Sequence, residues 1–202
     1  AGLDVLVLPI VLLENPVGDE WRGNMAPADR AAWHASYRAQ LLKLATICRE
    51  ENVAWLAVGS ELSSMEQDTD AWRAHIAAAR DAAPATRLLY SCNWDHLEGP
   101  EAWWRELDAI GCSAYYELTA DADASPAVLK AAWEHWRDWI LEWREGAGLT
   151  ALPIILTEVG YPSLDGGAAW PWDYTRDAPV DLEEQRIAID AFIAAWDGRR
   201  EL

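Results

Sequence analysis

The segment Ala-Trp-Leu-Ala-Val-Gly-Ser-Glu at 54–61 predicts a buried β-strand that ends on a carboxylate. A second apolar segment, Leu-Pro-Ile-Ile-Leu-Thr-Glu at 152–158, repeats this pattern. Proteins built on parallel strands place their active sites at the carboxyl ends of the strands. A charged side chain at such a position opposes apolar packing, so we expect Glu61 and Glu158 to be kept for a function.

The rest of the chain alternates between strand and helix patterns. Strands are predicted at 4–12, 53–59, 87–92, 110–116 and 153–158, and helices at 28–51, 69–82, 100–107, from 126 to about 146, and after 181. Asp181 and Glu184 have the spacing of a capping box at the start of the last helix. The strands are nearly continuous apolar runs, which is typical of a parallel sheet covered on both faces.

Two α/β architectures fit this order, an open doubly wound sheet and a (β/α)₈ TIM barrel. The first strand leads into Glu14-Asn15-Pro16 and not into the glycine-rich turn of a dinucleotide-binding sheet. The barrel is therefore favoured. A whole barrel has eight strands in about 250 residues, so we interpret residues 1–202 as a single, incomplete catalytic-type barrel domain. Its strands would be the third to the seventh, with two units missing in front and one behind.

Composition narrows the possible partners. The net charge of −18 argues against nucleic acid or an anionic membrane surface as a partner, because phosphate binding needs a basic surface. No apolar run is long enough for a transmembrane helix, and no signal peptide is visible. Secreted and cytoplasmic locations both stay open. The three cysteines and four histidines show no metal-binding spacing, so we expect no metal and no organic cofactor.

Tryptophan is unusually frequent, with 14 residues against one phenylalanine. Several of these residues follow a helical period and are predicted to be core, as in the series Leu129, Trp133, Trp136, Ile140 and Trp143. Four others fall in loops just after strands: Trp21, Trp94, Trp170 and Trp172. An indole ring in such a loop can stack on the apolar face of a sugar. Sugar binding and simple packing are equally open for each of these four.

Two strand-end carboxylates and loop tryptophans together indicate glycoside hydrolysis, which uses a pair of Asp or Glu residues. The sequence also resembles the retaining glycosidases with an acid/base on strand four and a nucleophile on strand seven, and more narrowly glycoside hydrolase family 113, the β-mannanase family. The segments that carry the resemblance are Trp-Arg-Gly at 21–23, Val-Gly-Ser-Glu-Leu at 58–62, Asn-Trp-Asp at 93–95, Ile-Gly-Cys-Ser-Ala-Tyr-Tyr at 110–116, Thr-Glu-Val-Gly-Tyr at 157–161 and Pro-Trp at 171–172. They span nearly the whole chain in the family's order.

The resemblance implies that Glu61 is the general acid/base and Glu158 the nucleophile. The sequence departs from the wider group of retaining glycosidases at Ser60. Many members of that group have an asparagine at this position, which contacts the sugar 2-hydroxyl. Tyr115 or Tyr116 is placed to donate a hydrogen bond to Glu158, and the sequence leaves open which of them does so.

Asn93 and Asp95 close the third predicted strand and could bind sugar hydroxyls, although turn formation explains them equally well. We therefore expect a polysaccharide or oligosaccharide substrate and an endo-acting β-1,4-mannanase-like activity on mannan or glucomannan. Two alternatives remain. One is a different β-glycanase activity on the same scaffold. The other is a non-catalytic carbohydrate-binding barrel fragment.

Overall fold

The computed structural model describes residues 2–97 and 101–198. Contacts between Cα atoms group the chain into two compact units. One unit consists of Ala1–Cys112 with Ala151–Ile155, and the other consists of Ser113–Thr150 with Leu156–Leu202. The single domain expected over residues 1–202 stays a prediction.

Strands and helices alternate in the described residues, as the sequence predicts. The strands are β1 (Leu6–Val7), β2 (Trp55–Ser60), β3 (Arg87–Asn93), β4 (Ala109–Ser113) and β5 (Ile154–Glu158). The helices are α1 (Arg30–Glu50), α2 (Thr69–Ala82), α3 (Pro126–Gly146) and α4 (Leu182–Trp196). Short 3₁₀ turns occupy Ser63–Met65, Trp94–His96 and Ala102–Glu106. The helix predicted over 100–107 is thus one 3₁₀ turn, and Pro100 lies outside the described residues.

The five strands form one sheet in the order β1-β2-β3-β4-β5. The pairs β1–β2 and β2–β3 are parallel, with Leu6 opposite Trp55 and Leu56 opposite Leu88. A doubly wound sheet has a point at which the strand order reverses, whereas here chain neighbours are sheet neighbours throughout. The strand order therefore favours the barrel over the doubly wound alternative.

All six residues of β2 are buried, as expected for a parallel strand that is apolar on both faces. Trp55 and Ala57 of β2 pack with Leu89 and Ala109 of the next two strands in one apolar cluster. This packing anchors the first half of β2, the strand that leads to Glu61.

Two predicted strands are longer than the observed ones. The first was predicted over 4–12, but only Leu6–Val7 pairs, since Pro9 has no N–H to donate to a ladder and Leu12 is 82% exposed. The fourth was predicted over 110–116, but β4 ends at Ser113. Tyr115 and Tyr116 therefore follow the strand and are not part of it.

The second unit is organised by the packing of α3 against α4. Ser125 is the N-cap of α3 and Pro126 its first residue, a position where the missing N–H of proline costs nothing. Leu129, Trp133 and Ile140 are buried along this helix, whereas the tryptophans at 136 and 143 are half-buried. The Trp133 ring lies 5.1 Å from that of Phe192 in α4. Among the described residues, no helix is long and apolar enough to cross a membrane.

Candidate active site

Glu61 directly follows β2 and is held in an uncommon backbone conformation. Its φ is +52°, in the left-handed region, and its side chain is almost completely buried. The Glu61 N–H donates to the Ser91 carbonyl of β3 at 2.8 Å. The residue before it, Ser60, is fully buried. A buried carboxylate on a left-handed backbone is unfavourable for folding, which agrees with a functional role.

Arg22 is the ionic partner of Glu61, because its guanidinium Nη2 contacts the carboxylate Oε2. The Trp-Arg-Gly segment is compact at Gly23, because a Cβ added there would overlap the Trp21 ring and the ring would have to move. The Gly23 carbonyl in turn accepts from the Ser64 N–H at 2.9 Å. Sequence reasoning did not single out Arg22 as a site residue. The available signal was its position between Trp21 and Gly23 in a segment that carried the family resemblance.

The end of β3 carries the three candidate residues Asn93, Trp94 and Asp95. Asn93 Oδ1 accepts from the Trp94 N–H at 3.1 Å, which is a turn-forming hydrogen bond. Trp94 is half-buried and Asp95 is exposed, on the 3₁₀ turn that follows. The turn-forming role is thus visible for Asn93, and the sugar-binding role of all three stays a prediction.

In the second unit, Glu158 is the last residue of β5 and has a neutral hydrogen-bond donor. The Tyr115 hydroxyl donates to Glu158 Oε2 at 3.0 Å. The other oxygen, Oε1, is buried and has no hydrogen-bond partner within the described ranges 2–97 and 101–198. The Glu158 carbonyl accepts from the Ala114 N–H at 2.7 Å, which brings the segment after β4 alongside β5. One carboxylate oxygen is thus held, and the other has no partner among the residues that the structure describes.

Burial distinguishes the two tyrosines that the sequence offers as hydrogen-bond donors to Glu158. Tyr116 is fully buried, its ring stacks on Trp136 at 4.5 Å, and it meets the edge of Trp133 at 6.0 Å. It occupies a core position. Tyr115 is the residue that reaches Glu158.

The loop 162–180, which follows β5, is held by the carboxylate of Glu184. Glu184 accepts from the N–H groups of Gly166 at 2.7 Å and Ala168 at 2.9 Å. The reciprocating capping-box bond expected of Glu184 does not form, because the buried loop amides take its carboxylate. Asp181 caps α4 as predicted, accepting from the N–H groups of Glu183 and Glu184.

Three of the four loop tryptophans are exposed. Trp21 and Trp170 are each 37% exposed and Trp172 is 48% exposed, while Trp94 is half-buried. The Arg176 guanidinium lies 4.0 Å from the Trp170 ring centroid, and Trp172 Nε1 donates to Glu117 Oε1 at 3.2 Å. Exposed indoles that are held by polar partners can present a flat apolar face to a ligand.

No group of three or more His, Cys, Asp and Glu side chains within the described part of the chain is arranged to hold a metal ion. Glu61 is accompanied by the guanidinium of Arg22, and Glu158, in the other unit, by the hydroxyl of Tyr115. They can supply proton transfer, a nucleophilic carboxylate and hydrogen bonds to that carboxylate.

Comparison with known proteins places the chain in a family. The family model of Glycoside Hydrolase Family 113 matches residues 1–200. Comparison with curated proteins gives no match. Among solved structures, the chain is similar to the family 113 β-mannanase of Alicyclobacillus acidocaldarius, with 27% identity and a TM-score of 0.74, over 89% of this chain and 54% of that one.

A second family 113 structure, a β-1,4-mannanase, matches with 22% identity and a TM-score of 0.79, over 99% of this chain and 61% of that one. A β-glucuronidase from Ruminococcus gnavus is more distant, with 14% identity and a TM-score of 0.62, over 88% of this chain and 30% of that one. The chain thus spans between half and two thirds of the length of the mannanases.

The fold is part of a (β/α)₈ barrel. Because the family model matches almost every residue, this chain belongs to glycoside hydrolase family 113.

Proposed function

We propose that the protein carrying this chain is a retaining glycoside hydrolase that cleaves β-1,4-linked mannan or glucomannan, with Glu61 as acid/base and Glu158 as nucleophile. Family membership supports the class of reaction, and the similarity to a β-mannanase at 27% identity supports the substrate. The observation that carries the residue assignment is the surroundings of Glu158. Tyr115 holds one carboxylate oxygen while the other has no partner in the described residues.

In the first step, Glu158 Oε1 attacks the anomeric carbon while the glycosidic C–O bond breaks and Glu61 gives its proton to the leaving oxygen. The product is a glycosyl ester on Glu158. In the second step, a water molecule attacks the same carbon, Glu61 takes a proton from that water, and the ester bond breaks to restore the Glu158 carboxylate. Glu61 is negatively charged between the two steps. The Arg22 guanidinium stabilises that charged form.

Substrate contacts are proposed for Trp21, Trp94, Trp170 and Trp172, with the exposed rings stacking on sugar faces. Asn93, Asp95 and Tyr115 are proposed to bind hydroxyl groups near the bond that is cleaved. The negative net charge does not oppose this ligand, because mannan and glucomannan backbones are neutral.

The substrate proposal is tested by reducing-sugar release from glucomannan, cellulose and xylan, using the product of the whole gene that encodes this chain. We expect release from glucomannan and little from the other two. Release mainly from cellulose or xylan would replace mannan by another β-glycan. Binding of glucomannan without release from any polymer would favour a non-catalytic carbohydrate-binding protein. The Glu158→Gln variant, which keeps the shape of the side chain, is the control for contaminating activity.

A further inference from the structure

A second buried carboxylate lies in the loop that carries Glu61. Glu66 follows the 3₁₀ turn after Glu61 and is only 6% exposed. Its Oε1 accepts from the Tyr90 hydroxyl at 2.7 Å. Burying a carboxylate is unfavourable unless its hydrogen bonds compensate. The steps proposed above make no use of Glu66, so its burial needs another explanation.

The Tyr90 hydroxyl has a second partner in the same loop. It accepts from the Leu62 N–H at 2.9 Å while it donates to Glu66. A hydroxyl has a single hydrogen, so donation to Glu66 leaves its lone pairs facing the Leu62 amide. Glu66 therefore sets the direction of the hydrogen bond that Tyr90 makes to the backbone.

The Leu62 amide belongs to the peptide unit that follows Glu61. The amide that precedes the Glu61 Cα donates to Ser91 at 2.8 Å, and the amide that follows it donates to Tyr90. Both partners lie on β3. The two peptide units on either side of the left-handed Glu61 are thus each tied to the neighbouring strand, and both ties constrain the backbone from which the carboxylate extends.

Aromatic rings fix Tyr90 itself. Its ring meets the edges of Trp72 and Trp103 at 5.2 and 5.1 Å, and these two indoles stack on each other. Their N–H groups donate to the Met65 and Glu66 carbonyls at 2.9 and 3.0 Å. A Cβ at Gly59 would lie 2.8 Å from both the Trp72 and Tyr90 rings, so the rings press directly on β2.

We propose that Tyr90 is a positioning residue for Glu61, and that Glu66 acts by holding the Tyr90 hydroxyl in the orientation that accepts from Leu62. This inference rests on the proposed function, since it assigns these residues to the acid/base role of Glu61. A positioning error at the acid/base impairs protonation of the leaving oxygen and leaves attack by the nucleophile unaffected.

The test compares two substrates that differ in their need for an acid. A manno-oligosaccharide has a sugar leaving group that must be protonated, whereas a dinitrophenyl glycoside of the same sugar releases a stable anion. Because general acid catalysis contributes about 10²–10⁴-fold, we expect Tyr90→Phe to lower kcat/KM at least about 10-fold on the oligosaccharide and less than about threefold on the dinitrophenyl glycoside.

Tyr37→Phe is the matched control. Tyr37 is half-buried, and its hydroxyl donates to the backbone of β2, at the Val58 carbonyl, 2.8 Å away. Loss of this hydroxyl should change kcat/KM for the two substrates by the same factor. Equal losses on both substrates for Tyr90→Phe would overturn the inference, because a purely structural role predicts that result.

Two variants of Glu66 keep the test decisive if Tyr90→Phe does not fold. Glu66→Gln retains an oxygen that can accept from Tyr90 and should preserve the ratio of the two kcat/KM values. Glu66→Leu removes the acceptor and should reproduce the selective loss on the oligosaccharide. Identical ratios for Glu66→Gln and Glu66→Leu would also overturn the inference.

Glu61→Ala separates this inference from the proposed function. It should show the strongest dependence on the leaving group of any variant in the series. If the wild-type protein is inactive, or if Glu61→Ala loses both activities equally, the acid/base role of Glu61 is rejected. The positioning role of Tyr90 is then rejected with it. A selective loss in Glu61→Ala without one in Tyr90→Phe would reject only the positioning role.

Discussion

The ends of β2 and β5 both present a glutamate, yet the two residues are held in different ways. Glu61 lies on a left-handed backbone, is buried and contacts the cationic Arg22. Glu158 ends a regular strand and accepts from the neutral Tyr115 hydroxyl. Each partner comes from a loop far away in the sequence, 39 residues before Glu61 and 43 before Glu158. Each tertiary arrangement supplies a different chemical partner to the same kind of residue.

This difference matters because paired carboxylates need different environments to act as acid/base and as nucleophile. The Arg22 guanidinium favours the ionised form of Glu61, which is the form proposed between the two steps of the reaction. The Tyr115 hydroxyl holds one oxygen of Glu158 and leaves the other oxygen available for the nucleophilic role proposed for it. The strand pattern predicts where the two carboxylates stand, and the tertiary structure gives them different neighbours, while their separate roles stay a proposal.

The largest expected effect separates the two glutamates by azide rescue. Glu158→Ala should lower turnover by about 10⁴-fold or more, and azide should restore part of it as a glycosyl azide of inverted configuration. Glu61→Ala should be rescued with retained configuration, because Glu158 still forms the ester. NMR of the anomeric proton of each product checks the assignment. Near-normal rates for both variants would contradict it.

Trp133→Ala tests the unit that carries Glu158. Trp133 is fully buried against Phe192 and Tyr116, so its truncation should lower the free energy of unfolding by about 3–5 kcal/mol. Trp172→Ala is the control, because Trp172 is 48% exposed and its loss should change stability by less than about 0.5 kcal/mol. Urea unfolding measures both, and similar losses for the two variants would contradict the assigned core.

The unit that carries Glu61 should have opposing pH effects on stability. Burial raises the pKa of Glu66 from 4.5 to about 7, so the folded state keeps a proton that the unfolded chain releases, and stability falls as the pH rises from 4.5 to 7. Burial, with charge repulsion from His34 and Arg38, lowers the pKa of His75 from 6.5 to about 3. The unfolded chain then binds a proton that the folded state does not, and stability falls as the pH drops from 6.5 to 3.

The two effects oppose each other between pH 4.5 and 6.5, where stability should be nearly flat. Glu66 contributes about 3 kcal/mol in all, but His75 offsets most of it below pH 6.5. Urea unfolding of the wild type from about pH 4 to about pH 8 should therefore show stability falling below pH 4.5 and, by only about 0.7 kcal/mol, between pH 6.5 and 7. Glu66→Gln should remove the Glu66 contribution, so that stability rises with pH up to 6.5 and loses its decline near pH 7. An unchanged profile in that variant would exclude Glu66 as the cause.

The smallest effect concerns the hydroxyl on Glu158. Tyr115→Phe removes one donor to a carboxylate, which is worth about 1.5–3 kcal/mol, so kcat/KM should fall by roughly 10-fold or more. Tyr174→Phe is the control, since Tyr174 lies in the loop 162–180 and is 82% exposed. Steady-state kinetics on manno-oligosaccharides measures both. Equal kcat/KM values for Tyr115→Phe and the wild type would show that the Tyr115 hydroxyl does not contribute to the reaction.

Several misjudged details share one cause. The pattern of 4–12 predicts a long strand, but Pro9 and exposed residues limit β1 to two residues. The spacing of Asp181 and Glu184 predicts a capping box, but Glu184 binds the amides of Gly166 and Ala168 instead. Local patterns describe what a segment can do alone. Tertiary hydrogen bonds and packing decide among those possibilities whenever they are stronger.

Sequence alone determined the alternation of strands and helices, the family resemblance and the placement of Glu61 and Glu158 at strand ends. It could do so because apolar periodicity and strand-end position are local properties that neighbouring residues encode. Only the tertiary structure decided that Arg22 meets Glu61, that Tyr115 and not Tyr116 meets Glu158, and that Tyr90 links Glu66 to Leu62. Those contacts join residues 24 to 43 positions apart, and chain folding rather than local pattern brings such residues together.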